Sequence, residues 1–160
     1  MGFFSRLFGI DQAADAASLL PADAGGTEDP KLDPATAAAI LAEIDIDTAI
    51  TAHESWKQRL HNYLDGQSSE ELKPEVVCLD DRCELGQWLY GTGKMRLGGY
   101  PAFSVLVARH KYFHVQASTV VALAQAGEKD KAGQTLNTSY RHASNQVILL
   151  LKELRRGLGR

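Results

Sequence analysis

The sequence predicts an all-α fold, an antiparallel four-helix bundle with one additional short helix carrying Cys83. Three observations point there. Apolar residues recur at three- and four-residue intervals over several long stretches, those stretches are bounded by Asp-Pro and Gly signals, and the best strand candidate, Glu75-Val76-Val77-Cys78, is too short to support a sheet. With 160 residues, 44% of them hydrophobic and 23% charged, the chain is sized for one core.

Residues 1–32 are read as an N-terminal aromatic segment and flexible linker, and residues 33–160 as the helical domain. Phe3, Phe4, Leu7, Phe8 and Ile10 form an apolar cluster too small to bury itself, expected to dock on a partner or a membrane surface or to pack back on its own domain. Its apolar stretch is too short and broken for a secretory signal, and Arg6 stands where a myristoylation pattern needs Ser or Thr. From Asp11 to Asp33 the composition turns to Ala, Asp, Gly, Pro and Thr, as in a linker.

Asp33-Pro34 has the N-cap and first-turn character of a helix start, followed by Ala-rich helix formers. A helix continues or restarts near Asp47, with Ile50, His53, Trp56, Leu60 and Leu64 on one stripe until Gly66. Asp81 with Glu84 three residues on resembles a capping box, predicting a short helix that ends at Gly91 and places Cys83 in its first turn. Gly91 to Gly99 is expected to be a loop. Pro101 then opens a long helix to about Ala126, with Phe103, Leu106, His110, Phe113, Ala117 and Val121 on its inner face. A last helix, from about Asp130 to Leu154, buries Leu136, Tyr140, Ala143, Val147, Leu150 and Leu154.

Charge excludes some functions. Seventeen basic against 20 acidic side chains give a net charge of −3, which offers no overall attraction for nucleic acid. The cluster Lys152, Arg155, Arg156 and Arg160 is read as cations favoured at a helix C-terminus. No apolar run reaches the roughly 20 residues needed to span a bilayer, so the protein is expected not to be membrane-spanning. Two cysteines, Cys78 and Cys83, do not form a disulfide framework and fit a reducing cytoplasm.

The chemistry concentrates in four residues. His110 and His114, four apart on one helix, project from the same face. His53 lies on the apolar stripe of another helix, and Cys83 is a nearby thiol. Neutral imidazoles are hard to satisfy in a core, whereas zinc takes four nitrogen or sulfur ligands in a tetrahedron.

The pattern His53-x-x-Trp56, Cys83-x-Leu85-Gly86-x-Trp88 and His110-x-x-x-His114 resembles the bacterial chemoreceptor zinc-binding domain, over roughly residues 46 to 125. The resemblance implies a four-helix, often dimeric, three-histidine one-cysteine Zn2+ site at His53, Cys83, His110 and His114. It also implies the sensing of zinc or of oxidants such as hypochlorous acid, as in chemoreceptors and diguanylate cyclases. No signalling hairpin or cyclase domain is recognised in this sequence, so the signal is expected to pass to a separate partner protein, in chemotaxis or cyclic-di-GMP control.

A redox mechanism follows beside the resemblance. Oxidation of Cys83 to sulfenic acid would weaken its ligation and release the short helix, with Gly91, Gly93, Gly98 and Gly99 as hinges. Trp56 and Trp88 are expected to pack around the metal and exclude water, and Gly86 to permit close helix approach. Cys78 is a plain thiol or a resolving cysteine, Asp80 and Asp81 cap or orient an imidazole, and His61 and His142 are surface or interface residues.

Other functions compete. A zinc hydrolase needs an open coordination position and a general base, which His110-Lys111-Tyr112-Phe113-His114 lacks, so no enzyme is expected. A haemerythrin-like di-iron bundle, suggested by His61-x-x-x-Asp65, leaves Cys83 without a purpose. A structural zinc adaptor or dimerisation module stays open.

Overall fold

Asp33 starts the first helix as the sequence predicts: its carboxylate accepts from the Thr36 amide at 2.9 Å and from the Thr36 hydroxyl at 2.6 Å, and Pro34 supplies the first turn. The structure, a computed structural model, describes residues 32–159. The aromatic segment and nearly all of the expected linker lie outside the described residues, as does Arg160.

This first helix, α1 (Pro34–Glu43), ends at Ile44. Asp45 then caps α2 (Ile46–Leu64) by accepting from the Thr48 amide at 3.0 Å. The chain therefore restarts rather than continues here. Helix α2 buries Ile46, Ala49, Ile50, His53 and Leu60, and stops where Gly66 takes φ +70°.

Three short helices follow: α3 (Pro74–Val77), α4 (Glu84–Tyr90) and α5 (Thr92–Leu97). The expected loop from Gly91 to Gly99 is thus largely helical. Of its four glycines, neither Gly91 (φ −102°) nor Gly98 (φ −60°) adopts a left-handed conformation, so these two bracket a helix instead of breaking the chain into a loop. Gly93 is buried against Trp88, where a Cβ would come within 2.9 Å of the indole.

Helix α6 (Pro101–Gln125) closes at Gly127, which takes φ +79°. The last helical stretch comprises α7 (Lys129–Thr135), a π turn (Leu136–Tyr140) and α8 (Arg141–Gly157). At the π turn the Asn137 amide donates to the Gly133 carbonyl and the Thr138 hydroxyl to the Gln134 carbonyl. Side chains competing for carbonyls one turn back loosen the ordinary helical ladder, a physical reason for the extra residue in this turn.

The all-helical class expected from the sequence holds, with no strand among the described residues. Three long helical stretches pack mutually, whereas α1 is only ten residues and lies against α5. Asp47 pairs with Arg155 and Glu54 with Lys152, so α8 runs antiparallel to α2. His53 faces His110 while Tyr63 meets Gln125, so α2 and α6 run parallel. The core between them includes Leu60, Leu106, Phe113, Tyr140 and Leu151, each at most 1% exposed. Every residue assigned from periodicity to the inner faces of α6 and of the last helix is buried.

The basic cluster has an acid beside each of its described members. Lys152, Arg155 and Arg156 pair with Glu54, Asp47 and Glu153. No helix among the described residues is long and apolar enough to cross a membrane.

Candidate metal centre

Three elements bring His53, Cys83, His110 and His114 together. One potential ligand atom from each lies within 4.8 Å of all the others. Helix α2 supplies His53 and α6 supplies both His110 and His114, all three buried. Cys83 sits at the N-cap of α4 rather than in its first turn, because its own sulfur accepts from the Gly86 amide at 3.3 Å. Asp81 does not cap this helix. It lies near Arg82 at the surface, 3.8 Å away, and Glu84 is the first helical residue.

Distances among Cys83, His110 and His114 come close to the edges of a zinc tetrahedron. Zinc–nitrogen bonds of about 2.0–2.1 Å and zinc–sulfur bonds of about 2.3 Å give edges of about 3.3 Å between nitrogens and about 3.6 Å between nitrogen and sulfur. Here His110 Nε2 and His114 Nε2 are 3.2 Å apart, and Cys83 Sγ lies 3.2 Å from the first and 3.6 Å from the second. The His53 ring lies beside them, its centroid 5.2 Å from that of His110, with a ligand atom within 4.8 Å of the other three.

Tautomers fit as well. A carbonyl oxygen only accepts, so His53 Nδ1–H donates to Ala49 at 2.7 Å and His114 Nδ1–H donates to Val77 at 2.9 Å. Both rings are then left with an Nε2 lone pair. Burial pushes the His53, His110 and His114 pKa values down, His110 to about 2, with the neighbouring histidines adding to the effect at His53 and His110. The imidazoles are therefore neutral, the form that binds a metal ion. Burial pushes the Cys83 thiol up and the Asp80 charge acts the same way, against hydrogen bonds from the Gly86 and Leu85 amides. A metal ion entering this site displaces the thiol proton.

The remaining residues of the motif make contacts of their own. Trp88 is buried edge-on to Phe103 at 6.5 Å, and its indole N–H donates to Glu43 at 3.2 Å. Glu43 also accepts from Arg96, tying α1 to α4 and α5, a link the sequence did not signal. Trp56 is half-buried with the Arg59 guanidinium 3.9 Å above its ring. Gly86 permits a close approach: a Cβ there would stand 1.7 Å from the Asp80 carbonyl oxygen.

A cleft of about 410 Å³ is lined by Trp56, Arg59, Leu72, Val76, Cys83 and His114 among others. Cys78 is half-buried and its thiol donates to the Glu75 carbonyl within its own turn. His61, Asp65 and His142 are outside the cluster, which contains no carboxylate among the described residues. That speaks against a carboxylate-bridged di-iron centre.

Residues 53–121 match the family model of the chemoreceptor zinc-binding domain, the family whose motif the sequence resembles. No curated protein and no solved structure matches the chain. The matched segment and the His53, Cys83, His110 and His114 cluster together fit a zinc-binding domain.

Proposed function

From the chemoreceptor zinc-binding segment at residues 53–121, we propose that the chain is a sensory or regulatory zinc protein whose ligands are His53, Cys83, His110 and His114. The observation that carries this reading is the convergence of three buried imidazoles and one thiol, with one potential ligand atom of each within 4.8 Å of the others. Four protein ligands fill a zinc coordination sphere, so the role is regulatory and not catalytic.

Cys83 is the responsive ligand. It is half-buried where the histidines are buried, and it lines an open cleft wide enough for small reagents. Hypochlorous acid takes two electrons from the thiolate: sulfur gains OH, chloride leaves, and the resulting sulfenic acid is a weaker ligand than the thiolate. Loss of that bond frees the start of α4, and a signalling partner of the chemoreceptor or diguanylate cyclase class reads the change.

We assign residues 33–160 to the sensing domain and residues 1–32 to a docking segment and linker. Homodimerisation is supported by Val105, Tyr112 and Val115, which stay 36–41% exposed along the outer side of α6. Two free thiols accord with a reducing cytoplasm. Deep burial of the histidines favours one second reading, a structural adaptor that holds zinc permanently.

Titrating the zinc-loaded protein with hypochlorous acid in the presence of a chromogenic chelator separates the two. Stoichiometric zinc release in wild type supports the sensor. Zinc retained after Cys83 is oxidised leaves the adaptor.

A further inference from the structure

His110 differs from the other two histidines of the cluster. His53 and His114 each have Nδ1 fixed by a backbone carbonyl, at 2.7 and 2.9 Å, whereas His110 Nδ1 is buried without a hydrogen-bond partner. A carboxylate oxygen, Asp80 Oδ2, lies 4.0 Å from it. A buried polar atom left without a partner is unfavourable by an amount comparable to a lost hydrogen bond.

Asp80 is held in that position from two sides. The Tyr90 hydroxyl, on α4, donates to the same Oδ2. Backbone contact fixes the other side, since the absence of a Cβ at Gly86 lets the Asp80 carbonyl lie against the first turn of α4. The Asp80 side chain is only 13% exposed, so bulk water screens it little.

We infer that Asp80 is the positioning residue of the metal centre, its carboxylate accepting from His110 Nδ1–H so that Nε2 presents its lone pair to the ion. An ionised carboxylate only accepts hydrogen bonds, so it favours the proton on Nδ1. The opposite tautomer would set a nitrogen lone pair against a negative oxygen. Closing the 4.0 Å separation to hydrogen-bond length also raises the basicity of the ring, which strengthens its bond to a cation. Tyr90 and Gly86 act one step further out, by holding Asp80.

This inference rests on the zinc reading above, and the test keeps the two separable. Zinc affinity is measured by chelator competition on wild type, Asp80→Asn, Asp80→Ala and Tyr90→Phe. Circular dichroism and thermal unfolding of each metal-free protein serve as the folding control. Histidine-labelled protein also gives the nitrogen and Nδ1–H resonances of each ring in the zinc-bound state.

The expected result is tight zinc binding by wild type and a loss of about 10- to 100-fold in Asp80→Ala. Asp80→Asn and Tyr90→Phe lose less. Metal-free melting curves stay unchanged, and the His110 Nδ1–H resonance moves while those of His53 and His114 do not. Wild-type affinity in Asp80→Ala, or an unmoved His110 resonance, overturns the role of Asp80 alone. Absence of zinc binding in wild type overturns the zinc reading and this inference together.

Discussion

His114 Nε2 lies 3.2 Å from His110 Nε2 between two buried rings, although the His114 ring has its only proton committed to Val77 on the far side. Nitrogens facing one another at this distance are stabilised by a cation between them. Cys83 Sγ, 3.2 and 3.6 Å from the same two atoms, supplies the negative charge that such a cation prefers.

Proton release on zinc binding follows from the state of these groups. Burial holds the three imidazoles neutral and the Cys83 thiol protonated, so binding releases one proton per ion near pH 8. Calorimetry in buffers of different ionisation enthalpy reads that number. Without metal, the histidine pKa values are depressed on folding, so the unfolded chain binds more protons below about pH 6.5. Stability of the metal-free protein is therefore full above that pH and falls as the pH drops from 6.5 towards His110's value of about 2.

Two glycine substitutions should act in opposite directions. Gly86→Ala puts a methyl group 1.7 Å from the Asp80 carbonyl and forces the backbone apart. A loss of about 1–3 kcal/mol or more is expected in denaturant unfolding, together with weaker zinc binding. Gly133→Ala, inside α7 with nothing within 4 Å of the new Cβ, should stabilise by roughly 0.5–1 kcal/mol and leave zinc binding unchanged.

Glu43→Ala tests the link between α1 and the cysteine-bearing helix. It removes the acceptor of both Trp88 and Arg96, leaving the indole N–H unpaired. A destabilisation of about 1–3 kcal/mol is expected, with a shift in tryptophan fluorescence and zinc stoichiometry retained. Arg96 holds the Glu43 carboxyl below the usual range, so this contribution is present above the unfolded pKa of about 4.3 and is lost as pH falls through the folded value.

Long periodic stretches were the legible part of the sequence. Phe103, Leu106, His110, Phe113, Ala117 and Val121 could be assigned to one face because a 25-residue helix repeats its pattern many times. Short elements lack that repetition. Helix α5 is six residues between glycines, and its helical state is decided by packing on α1 and α4 rather than by local preference.

The position of Cys83 was obscured by the Asp81–Glu84 pair, which has capping-box spacing but yields to the cysteine sulfur as the actual cap. Spacing and residue type brought the four cluster members into view. The Asp80 contact with Tyr90 and the Glu43 contact with Trp88 depend on how the loop and α1 fold back, which no periodicity encodes.

The central claim is a zinc ion held by three histidines and one cysteine. Elemental mass spectrometry on untagged protein, comparing wild type with Cys83→Ala and His110→Ala, tests it most directly. About one zinc per chain in wild type, lost or readily chelated in both variants, is the predicted result. Iron in place of zinc, or zinc content indifferent to Cys83, would contradict the account.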